Sequence, residues 1–256
     1  MPKTAFVTGA SSGLGLELCR ELVQTGYRVA MFARDGERLE REATALGAAG
    51  QVMALAGDVT DAHRVRSVVE QVESTWGPID LAIANAGIRQ ATWAVGFPLQ
   101  GAHQLMETNY FGMLHLFDAV MPRMIQRDQG CFAGIASLAG IRCLAGGSAY
   151  GASKAAMQSF LDTVRLELRP HGIRVVTVNP WFVRTQPTDD EVPRPMMVDA
   201  GWAAKTIVRR IEAGQTQIEF PFLPSLAWKC IRLLPNGVFA RLFAPRQKRH
   251  MLRVRE

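Results

Sequence analysis

The chain has 256 residues, of which 48% are hydrophobic and 20% are charged. It contains no uninterrupted apolar run of about 18 residues, so we predict one soluble α/β domain and no membrane-spanning helix. The N-terminal residues lack the parts of a secretory signal, which favours a cytoplasmic protein. The four cysteines have neither metal-ligand nor Cys-x-x-Cys spacing. We therefore expect reduced thiols, with Cys19 and Cys131 in the core, and no metal site.

The net charge of +6 is concentrated near the C-terminus. From Ser225 onward, eight Lys or Arg face a single Glu, which gives +7 for this segment. The preceding residues hold 21 basic and 22 acidic side chains and are almost neutral. The basicity therefore belongs to the tail and does not indicate an anionic substrate for the main domain.

Seven short apolar runs are predicted to be strands, and most are separated by helical patterns. They are Thr4–Thr8, Arg28–Ala33, Gln51–Ala56, Asp80–Ala84, Cys131–Ser137, Ile173–Val178 and Thr216–Phe220. Continuous apolar strands alternating with helices are typical of a buried parallel sheet, so we expect a doubly wound, seven-stranded, Rossmann-like α/β fold. We assign residues 1–224 to this domain and residues 225–256 to a short helical, basic C-terminal extension.

A glycine-rich turn, Gly9-Ala10-Ser11-Ser12-Gly13-Leu14-Gly15, joins the first predicted strand to a helix. The N-terminus of a helix offers unpaired N–H groups and a partial positive charge, which suit a pyrophosphate. Glycines also make plain turns, so this motif alone is weak evidence. The strand before it and the helix after it favour a dinucleotide site.

The residue that follows the second strand bears on the choice of cofactor. A dinucleotide fold places the side chain that reads the ribose at this point, where an acid suits a free 2′-hydroxyl and Arg suits a 2′-phosphate. Here Ala33 is neutral and Arg34 is basic. This favours NADP(H) over NAD(H), unless Arg34 is only a solvated side chain beside Asp35 and Glu37.

Polar residues also follow three other predicted strands, at the edge where ligands of parallel sheets bind. They are Asp58, Asn85 and Ser137, and their alternative roles are helix capping and turn formation. Asn109 lies inside the segment 99–127, which is helical in pattern. An amide is unfavourable there unless its side chain makes a hydrogen bond.

Tyr150 and Lys154 lie four residues apart in an Ala-rich segment that is predicted to be helical as far as Leu168. This spacing places both side chains on one helix face. A phenol beside an ammonium group would have a lowered pKa and could exchange protons near neutral pH. Taken alone, the pair is more often found on the surface of an ordinary helix, and only the other motifs weigh against that interpretation.

Together these motifs resemble the short-chain dehydrogenase/reductase family over residues 4–220. The matching motifs are Thr8-Gly9-x-x-x-Gly13-x-Gly15, Asp58-Val59, Asn85-Ala86-Gly87, Asn109, Ser137 and Tyr150-x-x-x-Lys154. The resemblance implies hydride transfer between C4 of a nicotinamide and a carbonyl carbon, on a small-molecule carbonyl or alcohol. It also implies a homo-oligomer.

The resemblance further implies roles for individual residues. Tyr150 would be the acid and base, Lys154 would lower its pKa, Ser137 would bind the substrate oxygen and Asn109 would anchor a water of the proton relay. The implied cofactor-binding residues are Thr8, Gly9, Ser11, Gly13, Leu14, Gly15, Arg34, Asp58, Val59, Asn85, Gly87, Tyr150, Lys154, Pro180, Val183 and Thr185.

Two positions depart from the family's pattern. Ala84 replaces an Asn at the end of a buried strand, which we expect to be harmless. Trp181 replaces a Gly beside the nicotinamide, although glycine permits backbone angles and close approaches that Trp does not. Either this loop takes an ordinary conformation, with Val183 and Thr185 facing the carboxamide, or the placement of the nicotinamide is altered.

Six large side chains are candidates for an apolar substrate pocket: Trp93, Phe97, Trp181, Phe182, Met196 and Met197. They predict a lipophilic ketone, aldehyde or secondary alcohol as substrate, unless several of them belong to the core. Residues 185–197 are polar and Pro-rich and are predicted to be a mobile cover.

A rival function for the whole chain is an inactive NADP-binding sensor or scaffold.

Apolar and basic residues alternate after residue 225, on either side of Pro235-Asn236-Gly237, which predicts two short amphipathic helices and a basic end. Three interpretations remain open for this extension: a lid or subunit contact, peripheral attachment to an anionic membrane, and a frayed end. Nucleic-acid binding is not expected, because there is no recognised module.

Overall fold

The computed structural model describes residues 2–47, 50–184 and 196–244. Seven strands form one parallel sheet in the order β3-β2-β1-β4-β5-β6-β9, which confirms the predicted fold class. These strands are β1 (Thr4–Thr8), β2 (Arg28–Ala33), β3 (Val52–Ala56), β4 (Leu81–Ala84), β5 (Gly130–Ile135), β6 (Ile173–Pro180) and β9 (Gln217–Phe220). Their bounds agree with the prediction to within two residues. The sequence pattern missed a separate parallel pair of two-residue strands, β7 (Val183–Arg184) and β8 (Val198–Asp199).

Helices cover both faces of the sheet. In chain order they are α1 (Gly13–Gln24), α2 (Gly36–Leu46), α3 (Ala62–Trp76), α4 (Leu99–Met106), α5 (Gly112–Gln126), α6 (Ser148–Leu168), α7 (Ala200–Glu212), α8 (Phe222–Arg232) and α9 (Asn236–Phe243). Helices α1, α2 and α7 contribute to the core on one face, and α3, α5 and α6 to the core on the other. Among the described residues, no helix combines the length and hydropathy needed to cross a bilayer.

The sheet is buried on both sides, and its strand order creates one crevice. All five residues of β1 are buried, as expected for a central parallel strand. Cys19 and Cys131 lie in the core, as predicted. Strand β1 pairs with β2 on one side and with β4 on the other. The chain therefore builds the sheet outward from β1 in one direction through β2 and β3, and in the opposite direction from β4 onward. A ligand crevice forms beyond the carboxyl ends of strands at such a switch point.

The helical segment predicted from Leu99 to Arg127 is not a continuous α-helix. A π-helical turn, Glu107–Phe111, separates α4 from α5. Such a turn inserts one extra residue and is frequent at functional sites. Asn109 lies inside it and is fully buried.

The described part of the C-terminal extension, residues 225–244, is docked on the main domain through Arg142 and Trp228, so these residues do not form a frayed end. Arg142, in the loop between β5 and α6, donates hydrogen bonds to the carbonyl oxygens of Ile231, Arg232 and Leu234 at 2.9–3.2 Å. Its guanidinium carbon also lies 3.8 Å from the ring centroid of Phe239 in α9. The last carbonyls of a helix have no partner within it, so Arg142 supplies the missing donors at the end of α8.

We expect Arg142→Ala to release α8 and α9 while the sheet stays folded. The variant loses several hydrogen bonds and a cation–π contact, each worth about 0.5–2 kcal/mol. Limited trypsin digestion should therefore cut at Lys229 or Arg232 several-fold faster than in the unchanged protein. The matched control is Arg66→Ala, which removes an exposed arginine bonded to Asp118 at 2.8 Å. If trypsin cut the Arg142→Ala variant no faster than the Arg66→Ala variant, the contact between Arg142 and α8 would be contradicted.

Candidate active site

A pocket of about 400 Å³ lies at the carboxyl edge of the sheet, where β1 and β4 are neighbours. Ten of the predicted cofactor-binding residues line it: Gly9, Ser11, Gly13, Leu14, Gly15, Arg34, Asp58, Val59, Asn85 and Gly87. The predicted set did not include the remaining lining residues, which are Ser12, Ala33, Asp35, Gly57, Ala86, Ile88 and Thr108. Most of these are direct sequence neighbours of predicted residues, and adjacency is the one signal that could have found them.

The glycine-rich turn has a shape that other residues cannot adopt easily. Gly9 and Gly13 have φ angles of 66° and 54°, in the left-handed region. A Cβ atom on Gly15 would lie 2.1 Å from the carbonyl oxygen of Gly9. The Nδ2 atom of Asn85 donates to the carbonyl oxygens of Thr8 and Gly9, at 3.0 and 3.3 Å. The turn thus brings the N-terminus of α1 against the pocket.

Thr8 holds the glycine-rich turn in place from the buried end of β1 and is not among the residues that line the pocket. Its side chain is buried, and its Oγ1 atom accepts hydrogen bonds from the backbone N–H groups of Asn85 and Ala86, both at 3.0 Å. These bonds join the end of β1 to the end of β4. The structure therefore gives Thr8 a positioning contact between the two strands that flank the crevice.

Arg34 lies at the end of β2, as predicted, with 69% of its side chain exposed. Its Nη1 atom is 3.8 Å from Oδ2 of Asp58, so it pairs with Asp58 rather than with Asp35 or Glu37. The Asp35 carboxylate instead accepts a hydrogen bond from the N–H group of Arg38 and caps α2. The other oxygen of Asp58 accepts a bond from Thr60 N, which is the turn role named as its alternative.

The structure brings Ser137, Tyr150 and Lys154 together beside the pocket. The Ser137 hydroxyl lies close enough to the Tyr150 phenol to lower its pKa. Lys154 is 4% exposed, and its ammonium group lies 5.9 Å from the centre of the Tyr150 ring. The ammonium donates to the carbonyl oxygen of Ile135 at 2.7 Å.

Asn109 is held by hydrogen bonds that explain how an amide is tolerated there. Its Oδ1 atom accepts from Ile88 N at 2.8 Å, and its Nδ2 atom donates to Ile88 O at 3.1 Å and to Ser153 Oγ at 3.0 Å. The Ser153 hydroxyl donates in turn to the carbonyl oxygen of Tyr150. A Cβ atom on Gly87 would lie 3.1 Å from Asn109 Oδ1 and 3.6 Å from Lys154 Nζ, so Gly87 joins this group to the pocket.

The pKa of Tyr150 is raised in this structure, whereas the sequence predicted a lowered value. Burial raises the pKa of Tyr150, and the Ser137 hydroxyl and the charge of Arg89 only partly oppose it. Burial also lowers the pKa of Lys154 from 10.5 to about 8. Spacing in the sequence could not reveal this, because desolvation depends on the whole fold around the two groups.

Two residues that the sequence analysis did not single out, Thr92 and Gln158, position the catalytic group, and a third, Arg89, acts on Tyr150 through its charge. Thr92 Oγ1 accepts a hydrogen bond from Ala149 N at 3.0 Å and so caps the helix that carries Tyr150. Gln158 donates to the carbonyl oxygen of Ser137 at 2.8 Å. Arg89 lies with its guanidinium carbon 5.8 Å from the ring centroid of Phe182. No sequence motif indicates Thr92 or Arg89, since each acts on a segment far from it in the chain.

The segment after β6 contains the remaining predicted cofactor residues. Pro180 ends β6 and is buried, and Val183 packs against the core from β7. Thr185 lies outside the described residues. Among those described, the non-glycine residues with positive φ are Asp128 and Met196, so Trp181 has an ordinary backbone conformation. This is the ordinary conformation named in the first of the two outcomes expected for the Trp replacement. That Val183 and Thr185 face the carboxamide stays a prediction.

None of the six predicted pocket residues belongs to the buried core. Phe97 and Met196 are 46% and 55% exposed, and Trp93, Trp181, Phe182 and Met197 are partly buried. The ring of Trp93 packs against Gly146, in the loop before Tyr150. In the described part of the chain, no three His, Cys, Asp or Glu side chains come together as metal ligands could.

A doubly wound sheet with a glycine-rich crevice beside a Tyr-Lys pair defines a class of NAD(P)-dependent dehydrogenases and reductases. The short chain dehydrogenase family profile matches residues 3–195. An uncharacterized oxidoreductase from Myxococcus xanthus is 34% identical over 241 residues, covering 93% of this chain and 94% of the relative. The chain belongs to the short-chain dehydrogenase/reductase family and is an oxidoreductase.

Solved structures agree with this assignment. A short-chain dehydrogenase from Streptomyces avermitilis is 28% identical, with a TM-score of 0.83 and coverage of 94% of this chain and 96% of that one. A short chain dehydrogenase from Burkholderia cenocepacia, solved in complex with NADP, is 26% identical. Its TM-score is 0.82, and the coverage is 95% and 98%.

The burial of Lys154 predicts that this residue costs the protein stability. At pH 7 the lowered pKa corresponds to a cost of roughly 3 kcal/mol to folding. Replacing Lys154 removes this cost, but it also removes the hydrogen bond to Ile135, which is worth about 1 kcal/mol. We therefore expect Lys154→Met to raise the free energy of unfolding at pH 7 by about 2 kcal/mol. Urea unfolding curves would measure it.

The pH dependence of this gain provides the control. A lysine whose folded pKa is lowered to about 8 opposes folding below that pH, and the cost disappears as the pH rises towards its usual 10.5. The advantage of the Met variant should therefore shrink as the pH rises above 8. A Met variant that is less stable at pH 7, or a pH-independent difference, would contradict a buried charge.

Proposed function

We propose that this protein transfers a hydride between NADP(H) and a lipophilic carbonyl or secondary alcohol, with Tyr150 as the acid and base. One observation carries the proposal. The neighbouring hydroxyls of Ser137 and Tyr150 and the buried Lys154 ammonium adjoin, through Gly87, a pocket that suits a dinucleotide. In this arrangement the proton donor, Tyr150, lies beside the proposed binding site of the hydride source, NADPH.

The residues of the pocket fit a dinucleotide at both ends. The turn from Gly9 to Gly15 lets a pyrophosphate approach the backbone and the N-terminus of α1. At the far side, the exposed guanidinium of Arg34 suits a 2′-phosphate, and its ion pair with Asp58 is a long one, at 3.8 Å. The NADP bound to the Burkholderia relative supports the same cofactor, with NAD as the weaker alternative.

The cofactor supplies or accepts the hydride, and the protein supplies the proton and the electrostatics. Burial keeps the Tyr150 phenol protonated at neutral pH, which is the form that donates to a carbonyl oxygen. Ser137 donates a second hydrogen bond to the same oxygen. Preorganised donors at an oxygen where charge develops contribute about 3–4 kcal/mol each.

Lys154 has its role in the step after the proton leaves Tyr150. The phenolate then formed is stabilised by the nearby ammonium, which lies in a region of low dielectric where such an interaction is strong. The pKa of Lys154 is about 8, so the ammonium loses its charge in mildly alkaline solution. Carbonyl reduction should accordingly weaken as the pH rises above 8.

The substrate is lipophilic because the loops that follow β4 and β6, at the carboxyl edge of the sheet, carry several large apolar side chains. Trp93, Phe97, Trp181 and Phe182 all retain exposed surface that a substrate could cover. An apolar substrate that covers them gains about 25 cal/mol for each Å² removed from water.

We expect Tyr150→Phe to lower kcat/KM for carbonyl reduction by about 100-fold to 10,000-fold, the usual contribution of a positioned acid. NADPH affinity should change little, because Tyr150 is not among the residues that line the dinucleotide pocket. The measurements are NADPH oxidation with a panel of lipophilic ketones and aldehydes, and a fluorescence titration with NADPH.

Two outcomes of the Tyr150→Phe experiment would count against the proposal. Turnover that persists in the variant would remove Tyr150 from the reaction. Tight NADPH binding by the unchanged protein, with no turnover of lipophilic or polar carbonyls, would favour the inactive sensor or scaffold. Tyr110→Phe is a matched control, since that phenol packs against Phe111 and Phe160, outside the catalytic group.

We expect Arg34→Ala to reduce NADPH affinity by about 10-fold to 100-fold and to leave NADH affinity nearly unchanged, because a hydrogen bond to a charged group contributes about 1.5–3 kcal/mol. Titration of both cofactors measures the ratio. Arg41→Ala, on the exposed surface of α2, removes the same charge outside the pocket and is the control. An equal loss of both cofactors in the Arg34 variant would contradict recognition of the 2′-phosphate.

A further inference from the structure

Helices α8 and α9 each have an inner apolar face that is packed on the domain. Trp228 of α8 is 7% exposed, and its ring contacts those of Trp181 and Phe243, with centroids 5.3 and 6.2 Å apart. Its Nε1 atom donates to the carbonyl oxygen of Arg142 at 2.9 Å. These contacts seat the two helices on the loops that precede Tyr150 and follow β6.

Both helices also have an outer apolar face, which none of the described residues covers. Phe222, Leu223, Leu226, Leu233, Val238 and Leu242 are between 45% and 83% exposed. They make up six of the fifteen exposed large hydrophobic residues in the described chain, within a segment of about two dozen residues. Phe222, Leu226 and the C-cap residue Leu233 fall on one side of α8, together with the Lys229 stem, and Val238 and Leu242 fall on one side of α9.

Positive charge accompanies these outer faces. Arg232 and Arg241 lie in the last turns of α8 and α9 and are exposed. Lys229 is also exposed, but it pairs with Glu219 at 2.6 Å. In the sequence after Ala244, five more Lys or Arg occur with a single Glu. An apolar helix face bordered by Lys and Arg is the pattern of helices that lie in the surface of an anionic bilayer.

We propose that the outer faces of α8 and α9 bind the surface of an anionic lipid bilayer. A second copy of this chain is a poorer occupant of the same surface. A two-fold interface would place the exposed Arg232 and Arg241 of both copies close to one another. A bilayer covers the apolar side chains and neutralises the charge at the same time.

This surface is connected to the proposed substrate pocket by the inner faces of the same helices. Trp181, which contacts Trp228, is one of the residues predicted to meet the substrate. A protein bound in this way holds its active-site loops next to the bilayer, where lipophilic compounds are concentrated. The binding itself goes beyond the proposed reaction and does not rest on it.

The test is flotation of the full-length protein with vesicles, without cofactor or substrate. One vesicle preparation is phosphatidylcholine alone, and the other contains about one third phosphatidylglycerol. We expect binding to the anionic vesicles, weaker binding at high salt, and at least tenfold weaker binding of the double variant Leu233→Asp, Leu242→Asp. Truncation is avoided, because it would remove Trp228 from the buried contact with Trp181.

Leu166→Asp is the matched control, since Leu166 of α6 is 74% exposed and lies outside both helices. Thermal melting and NADPH titration establish that each variant is folded. The proposal is overturned if the unchanged protein does not bind the vesicles, or if the double variant binds them equally well. A dimer that the double variant abolishes, without vesicle binding, would assign the surface to a second copy and overturn it as well.

Discussion

The burial of one ammonium group, that of Lys154, is the constraint on which the rest of the site depends. The group is 4% exposed and has the carbonyl oxygen of Ile135 and the sulfur of Met157 as hydrogen-bond partners. Removing a cation from water is costly, and the lowered pKa expresses that cost. The sheet and α6 supply the free energy that holds the charge there. In return, the charge acts on Tyr150 through a medium of low dielectric, where its effect on a phenolate is greatest.

The position of Tyr150 is determined by three segments that are distant in the sequence. Thr92 caps its helix from the loop after β4, and Gln158 fixes the backbone of Ser137 at the end of β5. The π-helical turn provides Asn109, which reaches Ser153 and through it the backbone of Tyr150. Each bond is worth only about 1 kcal/mol, yet all of them are buried or partly buried and leave the phenol little freedom. Preorganisation of this kind is what a proton donor needs, since the donor must be in place before charge develops.

Much of this architecture could be predicted because its causes are local. An apolar run such as Thr4–Thr8 has no other stable place than a central strand, and the polar residues that follow the strands necessarily meet at one edge of a parallel sheet. The π-helical turn at 107–111 could not be predicted, since hydrophobic spacing continues across it without a break. The raised pKa of Tyr150 and the contact of Arg142 with α8 depend on burial and on partners about 90 residues away, which no local pattern contains.

The Trp at position 181 and the C-terminal helices are best understood as one adaptation. The family resemblance places a glycine at this position, and a glycine would leave the Trp228 ring with a gap in place of its aromatic neighbour. The ordinary backbone conformation of Trp181 shows that the loop does not need glycine's freedom here. The Trp181 ring fills the space between the loop after β6 and α8, and Arg142 completes the contact by binding the end of the same helix. The replacement therefore fixes the position of the extension beside the catalytic group. The outer faces of both helices stay available for a partner.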